Sequence, residues 1–295
     1  MNAPPFLKHH AQHVDAQLDG MLRRHRAGMP DRLWQAMRYS LLAGGKRIRP
    51  ILLLETFRAC GGDPLDHAMP AAISLECIHT YSLIQDDLPC MDDDELRRGQ
   101  PTCHRRFDEA TALLASDALL TLGLQLLTEA DWPAEVRLQL CQRLCLAAGG
   151  QGMVGGQLLD MEANARNITN ECEIERIHIH KTGALIRYAC EAGAWIAGAT
   201  PTQRAHCIRY GQAIGLLFQV VDDILDATQS SATLGKSAGK DAAQDKATYV
   251  SLLGLRAARE LADELCAKAQ NACAQLGAEA DRMLQLARYI RQRDH

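Results

Sequence analysis

The sequence predicts an all-α protein, a single large bundle of about ten or more helices around a central cavity. Three observations carry that prediction. Apolar residues make up 47% of the chain but aromatics only 4%. Ala and Leu abound while β-branched runs are few, a composition that favours helix over strand. Helical start signals recur, and neither strand alternation nor a short repeat interrupts them.

Helices are expected near residues 6–27, 31–43, 48–60, 66–87, 108–130, 133–148, 150–163, 171–198, 202–227 and 247–292. The second and third flank Gly44-Gly45-Lys46-Arg47-Ile48-Arg49-Pro50, a loop whose glycines free the backbone. The fourth is apolar and must end or kink near Gln85 to Leu88, because Pro89 has no N–H and would clash inside a helix. In the fifth, Ala112 to Leu127 is apolar but broken by Ser116, Asp117 and Gln125, which suits a buried helix better than a membrane span. Cys141 and Cys145 lie four apart on the sixth and read as packing residues. Asn170 with Glu173 opens the eighth. Thr200-Pro201-Thr202-Gln203 opens the ninth with an N-cap, a proline at the first helical position and a Gln at the third. The last helix should break near Gly277. No Pro/Gly/Ser-rich linker divides residues 1–295, so one domain is expected although the length would allow two.

A net charge of −4 and a pI of about 6.3 argue against a nucleic-acid partner, which calls for a basic face. Met1 to His13 carries no apolar core region, so no signal peptide is expected. The 11 cysteines contain no Cys-x-x-Cys pair, which speaks against zinc ribbons and disulfide frameworks. Reduced thiols in the cytoplasm are the default reading.

The chemistry concentrates after the fourth helix. Asp86, Asp87, Asp92, Asp93, Asp94 and Glu95 fall within ten positions, and Arg97 and Arg98 follow at once. Carboxylates this dense repel one another unless cations sit among them. Hard divalent ions such as Mg²⁺ take oxygen ligands. Arginines beside such a cluster make sense if a polyanion, such as a diphosphate, bridges metal and guanidinium. A solvated acidic turn is the bland alternative, and a second acidic element disfavours it. In Phe218-Gln219-Val220-Val221-Asp222-Asp223-Ile224-Leu225-Asp226, Asp222 and Asp226 share a helix face. Gln212, Gly215, Gln219, Asp222 and Asp226 form one narrow polar stripe on an otherwise apolar helix. A stripe of that kind is expected to line a wet, metal-containing cavity that faces the first cluster.

Two loops offer cations. The Gly44–Pro50 loop projects Lys46, Arg47 and Arg49, and the stretch from Ala227 to Ala247 carries Lys236, Lys240 and Lys246. Neither is a nucleotide phosphate loop, because the required earlier glycine is Ser40 in one and Ser230 in the other.

Asp86 to Gly99 (Asp-Asp-x-x-x-x-Asp, then Arg-Arg-Gly), with Asp222 to Asp226 (Asp-Asp-x-x-Asp), resembles the trans-prenyltransferases, the polyprenyl synthase family of the isoprenoid synthase fold. Gly-Gly-Lys-Arg-Ile-Arg-Pro, Glu-Cys-Ile-His-Thr-Tyr-Ser-Leu-Ile, Gly-Gly-Gln at 155–157, His-Lys-Thr-Gly-Ala-Leu-Ile at 180–186 and Thr-Leu-Gly-Lys at 233–236 extend the resemblance over nearly the whole chain. It is greatest to bacterial members that condense isopentenyl diphosphate with dimethylallyl and geranyl diphosphate into (2E,6E)-farnesyl diphosphate. The resemblance implies that Asp86, Asp87 and Asp92 hold Mg²⁺ against the allylic diphosphate, and that Asp222, Asp223 and Asp226 hold a further ion. Three Mg²⁺ per site are implied, with Mn²⁺ as a substitute. Arg97, Lys181, Lys236 and Lys246 would contact that diphosphate. Lys46, Arg49, His79 and Arg98 would bind isopentenyl diphosphate, and Thr182 and Gln219 would face the developing carbocation. Gln85 departs from the histidine that relatives often carry there. A homodimer in the cytoplasm, with no membrane insertion, is also implied, and the Lys-rich 227–247 loop would close over the site.

Tyr81 precedes Asp86 by five residues, about 7.5 Å along a helix that rises about 1.5 Å per residue. It therefore lies deeper than the diphosphate. Bacterial relatives with an aromatic here and two extra residues in the first motif (Pro89-Cys90) make a fifteen-carbon product, so Tyr81 reads as the floor under the growing chain, with an ordinary core aromatic as the alternative. Competing readings are a geranyl or geranylgeranyl diphosphate synthase, a terpene cyclase, and a non-catalytic partner subunit. The intact Asp222-Asp223-x-x-Asp226 disfavours the last two. His178 and His180, two apart, point in different directions and cannot share a metal. His9, His10 and His13 are expected to be solvated, and Cys90 and Cys103 to meet thiol reagents. Met153, Gln157 and Asp160 form a stripe that could line the pocket.

Overall fold

The computed structural model describes residues 3–164, 170–228 and 248–293. Among them the chain is helical almost throughout, as its composition predicts. It divides into two compact units. One comprises Pro5–Leu54 and Asp63–Cys141, and the other Met1–Pro4, Glu55–Gly62 and Gln142–His295.

The first unit holds α1 (Pro5–Arg24), α2 (Asp31–Leu41), the start of α3 (Ile48–Ala59), α4 (Met69–Asp86), the short α5 (Cys103–Arg106), α6 (Glu109–Glu129) and the start of α7 (Ala134–Ala148). Helix α4 is its axis. Twelve of its eighteen residues are buried, so it is apolar around most of its circumference rather than along one stripe. It packs on α6 at short range because Gly123 has no side chain. A Cβ there would lie 3.0 Å from Ile78 Cδ1 and 3.2 Å from the Ser74 carbonyl. Ser74 Oγ uses that proximity to donate to the Gly123 carbonyl at 2.6 Å. Among the described residues α6 is the one helix long and apolar enough to cross a membrane by length and composition. Its Ala112, Ala115, Leu119, Leu122 and Leu126 are buried within the unit.

The helix α4 ends at Asp86, three residues before Pro89, where the proline requires it. A two-residue hairpin follows that the sequence did not disclose. Leu96–Arg97 pairs antiparallel with Gln100–Pro101. Arg98 and Gly99 make its turn at φ 54° and 77°, the left-handed pair of a two-residue hairpin. Strands this short carry no alternation to read.

The second unit holds α8 (Met153–Asn164), α9 (Glu171–His178), α10 (Ala184–Ile196), α11 (Pro201–Thr228), α12 (Tyr249–Ala274) and α13 (Asp281–Gln292). Both expected caps form. Asn170 accepts from the Cys172 amide at 2.9 Å, and Thr200 and Gln203 cap one another reciprocally at 3.3 and 2.9 Å. The one helix expected over 171–198 is interrupted by a π-helical turn at Ile179–Gly183. Glycines crowd this turn. A Cβ on Gly156 would lie 2.2 Å from the Lys181 amide nitrogen, and one on Gly215 would lie 2.8 Å from Gly183 Cα. Helices α8 and α11 thus press their backbones onto the turn that carries Lys181 and Thr182. A kink at Gly254 (φ 79°) bends α12, and the chain breaks at Gly277 (φ 85°) as expected.

Candidate active site

In the first unit the acidic loop turns back on itself. The Asp92 amide donates to the Asp86 carbonyl at 2.9 Å, which brings the two residues side by side at the end of α4. Asp86 is half-buried and Asp92 exposed. Asp87 behaves differently. It is buried, and Arg97 grips it through Nε at 2.7 and 2.9 Å and through Nη2 at 2.5 Å. Burial raises the Asp87 carboxyl pKa, and Arg97 pulls it back only in part. Arg97 lies in the first strand of the hairpin, directly before its turn, and is held there by pairing with Gln100.

Tyr81 is 3% exposed. Burial, then the charge of Asp86, pushes its hydroxyl up to about 12. The ring five residues before Asp86 is thus buried and feels the first motif. Gln85 donates to Ser116 Oγ at 3.1 Å.

The basic loop is built from left-handed backbone: Gly44, Gly45 and Arg47 have φ of 86°, 134° and 50°. The sequence suggested that all three of its cations project outward, and Arg47 does not. Its guanidinium is fully buried, bonded to Asp15 at 2.8 Å, to Glu76, and to the Leu41 carbonyl at 2.8 Å. Burial opposes its charge, and Glu76 and Asp15 more than restore it. Arg47 is therefore the anchor of the loop. Lys46 stays exposed and Arg49 half-buried. Arg49 Nη1 approaches His79 Nε2 at 3.1 Å. Burial, followed by Arg49, Arg98, Arg97 and Arg47, holds His79 well below 6.5, so the ring is neutral and accepts from Arg49. Arg98 lies over Gly45, where a Cβ would come within 2.8 Å of its Cζ, and donates to the Gly44 carbonyl. Arg49 and Arg98 thus lie about the neutral His79 ring, and Lys46 is exposed on the same loop as Arg49.

In the second unit the polar stripe of α11 does not serve one purpose. Gln219 accepts from His178 Nδ1 at 3.2 Å and donates to Asp222 at 3.3 Å. His178 stacks on Tyr249 at 5.5 Å. Asp222 is bound by Arg293 at 2.5 Å, and that guanidinium also covers the Phe218 ring at 3.9 Å. Asp223 accepts from the Tyr249 amide at 2.8 Å. Asp226 is exposed at the C-terminal end of the helix. Gln212 lines a separate cavity instead. On the π turn, Lys181 donates to Asp160 at 2.6 Å, and Thr182 is buried. His180 bonds to the Arg176 carbonyl, away from His178, as their spacing requires. Lys236 and Lys246, with most of the proposed closing loop, lie outside the described residues.

The donor chemistry fits Mg²⁺. Both sets offer carboxylate oxygens at a helix end, with no soft ligand among them. Among the described residues, no three His, Cys, Asp or Glu side chains already converge as a metal cluster. Sequence reasoning missed Asp15, Glu76, Arg293 and the partnership of Asp160 with Lys181. Glu76 was detectable, since an acid in the middle of so apolar a helix demands a partner. Two surface readings need correction. His10 is buried beside Phe6, 6.0 Å between ring centroids. Cys103 is buried, whereas Cys90 is exposed.

A family model described as polyprenyl synthetase matches residues 30–283. The chain belongs to that family. Among polyprenyl synthetases it is 48% identical over 263 residues to the farnesyl diphosphate synthase of Geobacillus stearothermophilus, covering 88% of this chain and 87% of that one. It is 44% identical over 269 residues to a chloroplastic geranylgeranyl pyrophosphate synthase of Catharanthus roseus, covering 90% and 75%. A solved FPP/GFPP synthase from Zymomonas mobilis superposes with a TM-score of 0.86 at 38% identity over 97% of both chains.

Proposed function

We infer that the chain is a Mg²⁺-dependent short-chain trans-prenyltransferase, a (2E,6E)-farnesyl diphosphate synthase. It condenses isopentenyl diphosphate with dimethylallyl and then geranyl diphosphate. The observation that carries this is that each compact unit presents an Asp-rich motif at a helix end, in a chain 48% identical to a farnesyl diphosphate synthase. The family match runs through both compact units, which supports reading residues 1–295 as one polyprenyl synthase domain.

Asp86 and Asp92, with Asp87, and Asp222, Asp223 and Asp226 would hold three Mg²⁺ or Mn²⁺ ions. The metal supplies neutralisation of the diphosphate charge as the allylic C–O bond ionises. Arg97, Lys181, Lys236 and Lys246 bind the allylic diphosphate. Charges set in place before the bond breaks act on the leaving group without reorganisation. The second diphosphate sits on Lys46, Arg49, His79 and Arg98, which orients its double bond for attack. Thr182 and Gln219 would face the carbon where the cation develops. No described side chain is an obvious general base, and the departed diphosphate takes the proton. Apolar walls keep water from the cation, and Tyr81 sets their depth.

Exposed apolar side chains support a homodimer: Leu113 and Leu114 on α6, and Leu158 and Met161 on α8. A free thiol at each of the 11 cysteines suits the cytoplasm.

Product analysis by mass spectrometry, with Mg²⁺, isopentenyl diphosphate and either allylic substrate, tests the reading. A fifteen-carbon product from both is expected. A twenty-carbon product would keep the chemistry and overturn the chain length, and no condensation would overturn the enzyme.

A further inference from the structure

The second unit contains a cavity that the proposed chemistry does not use. It measures about 600 Å³, within the roughly 300–1,000 Å³ of small-molecule sites. Its floor is apolar: Ala213 and Leu216 of α11 and Leu265 and Ala272 of α12 are all at least nine-tenths buried.

Its two ends differ. Ile179 and Gly183 of the π turn lie near Leu216, because Gly215 packs on Gly183. Along α11, Arg209 follows about 10 Å from Leu216 toward the N-terminus and His206 about 15 Å, at helical rise. Arg187 and Lys268 complete this cationic end. Arg187 reaches Glu191 only at 3.4 Å. Neither Arg209 nor Lys268 has an ion pair among the described residues, and both are exposed. The one acid on the lining is Glu175, on the turn of α9 before Ile179.

We propose that this cavity binds a soluble single-chain phosphate ester of an apolar alcohol. The chain lies over Leu216 toward Ile179, and the head sits among Arg187, Arg209 and Lys268. Charge complementarity selects the occupant. A second copy of this chain docked by symmetry would set these cations against themselves. A concave site of about 600 Å³ with a buried apolar floor suits a single amphiphile better than a bilayer. Ile179 and Gly183 flank Lys181 and Thr182 in one turn, so occupancy would bear on the π turn. The inference does not depend on the proposed reaction.

Isothermal titration calorimetry with dodecyl phosphate, below micelle formation and in EDTA, tests it on the full chain. The expected result is one saturable site per chain. Binding should fall at least tenfold in R209E/K268E and at least tenfold for butyl phosphate, which lacks most of the apolar chain. Asp86→Asn should bind dodecyl phosphate as the wild type does, which separates this cavity from the Asp-rich motifs. Both altered cations are exposed, so R209E/K268E should keep its melting temperature and its condensation activity. No saturable binding to wild type would overturn the proposal, as would equal affinity in R209E/K268E or loss in Asp86→Asn. Binding to phosphatidic acid vesicles without binding of free dodecyl phosphate would overturn it in favour of a membrane surface.

Discussion

Arg97 closes on Asp87 with two nitrogens, at 2.5 to 2.9 Å, and the two residues are only ten apart in sequence. The pair holds the buried Asp87 carboxylate on a guanidinium, whereas Asp86 is half-buried and Asp92 exposed. Asp87→Ala should leave Arg97 without its partner. Breaking a buried pair costs about 3–5 kcal/mol, and the partial exposure of Arg97 lowers that to about 1–3 kcal/mol. Melting temperature should drop by several degrees, and the allylic KM and the Mg²⁺ requirement should both rise. Asp86→Asn and Asp92→Asn should raise the Mg²⁺ requirement without that loss of melting temperature, and lower kcat about 10²-fold or more. Mg²⁺ titrations of the three variants check this.

The anchor beneath the basic loop is a stability element with a catalytic consequence. Arg47 has no accessible side-chain surface, and Glu76 almost none. Glu76→Gln should cost about 3–5 kcal/mol. The loop would lose its seat, so KM for isopentenyl diphosphate should rise more than KM for the allylic substrate. Urea denaturation and the two KM values read both effects, and equal changes in the two KM values would count against the anchor.

Tyr81→Ala removes a buried ring, at a cost of at most about 3–5 kcal/mol. The depth it vacates should admit another isoprene unit. The product should lengthen beyond fifteen carbons, measured by chromatography of the dephosphorylated alcohols. An unchanged farnesyl product would leave Tyr81 as a core aromatic only.

His79 makes stability depend on pH with a definite sign. Its folded pKa lies well below the unfolded value of 6.5. Above about pH 6.5 both states are neutral and there is no penalty. As pH falls through 6.5, the unfolded state takes a proton that the folded state refuses, so stability drops. Melting temperature should therefore decline from pH 7.5 to 5.5, and His79→Asn should flatten part of that slope. Parallel slopes for the two proteins would remove His79 as the cause.

Of the 11 cysteines, only Cys90, Cys145 and Cys172 are exposed. Brief iodoacetamide treatment followed by peptide mass spectrometry should modify those three first and spare Cys103.

The Asp-rich motifs were legible because charge density and helical spacing are local properties. Asp86 with Asp92, and Asp222 with Asp226, follow from counting residues and from the stop imposed by Pro89. The caps at Asn170 and Thr200 were legible for the same reason. Arg47 and Lys46 are neighbours with the same charge, and no local rule says which one turns inward. Asp15 and Glu76 decide it, 32 and 29 residues away in sequence. The π turn escaped notice because its cause lies in Gly156 and Gly215 on two other helices.

The sequence by itself determined the helical class, the breaks at Pro89 and Gly277, and the residue types able to hold metal and diphosphate. Those depend on propensity and spacing within a few turns. Only the tertiary structure decided which charges are spent inside the protein. Arg97 on Asp87, Arg293 on Asp222, Lys181 on Asp160 and Arg47 on Glu76 are each chosen by packing. A buried charge must find its partner wherever the fold has brought one.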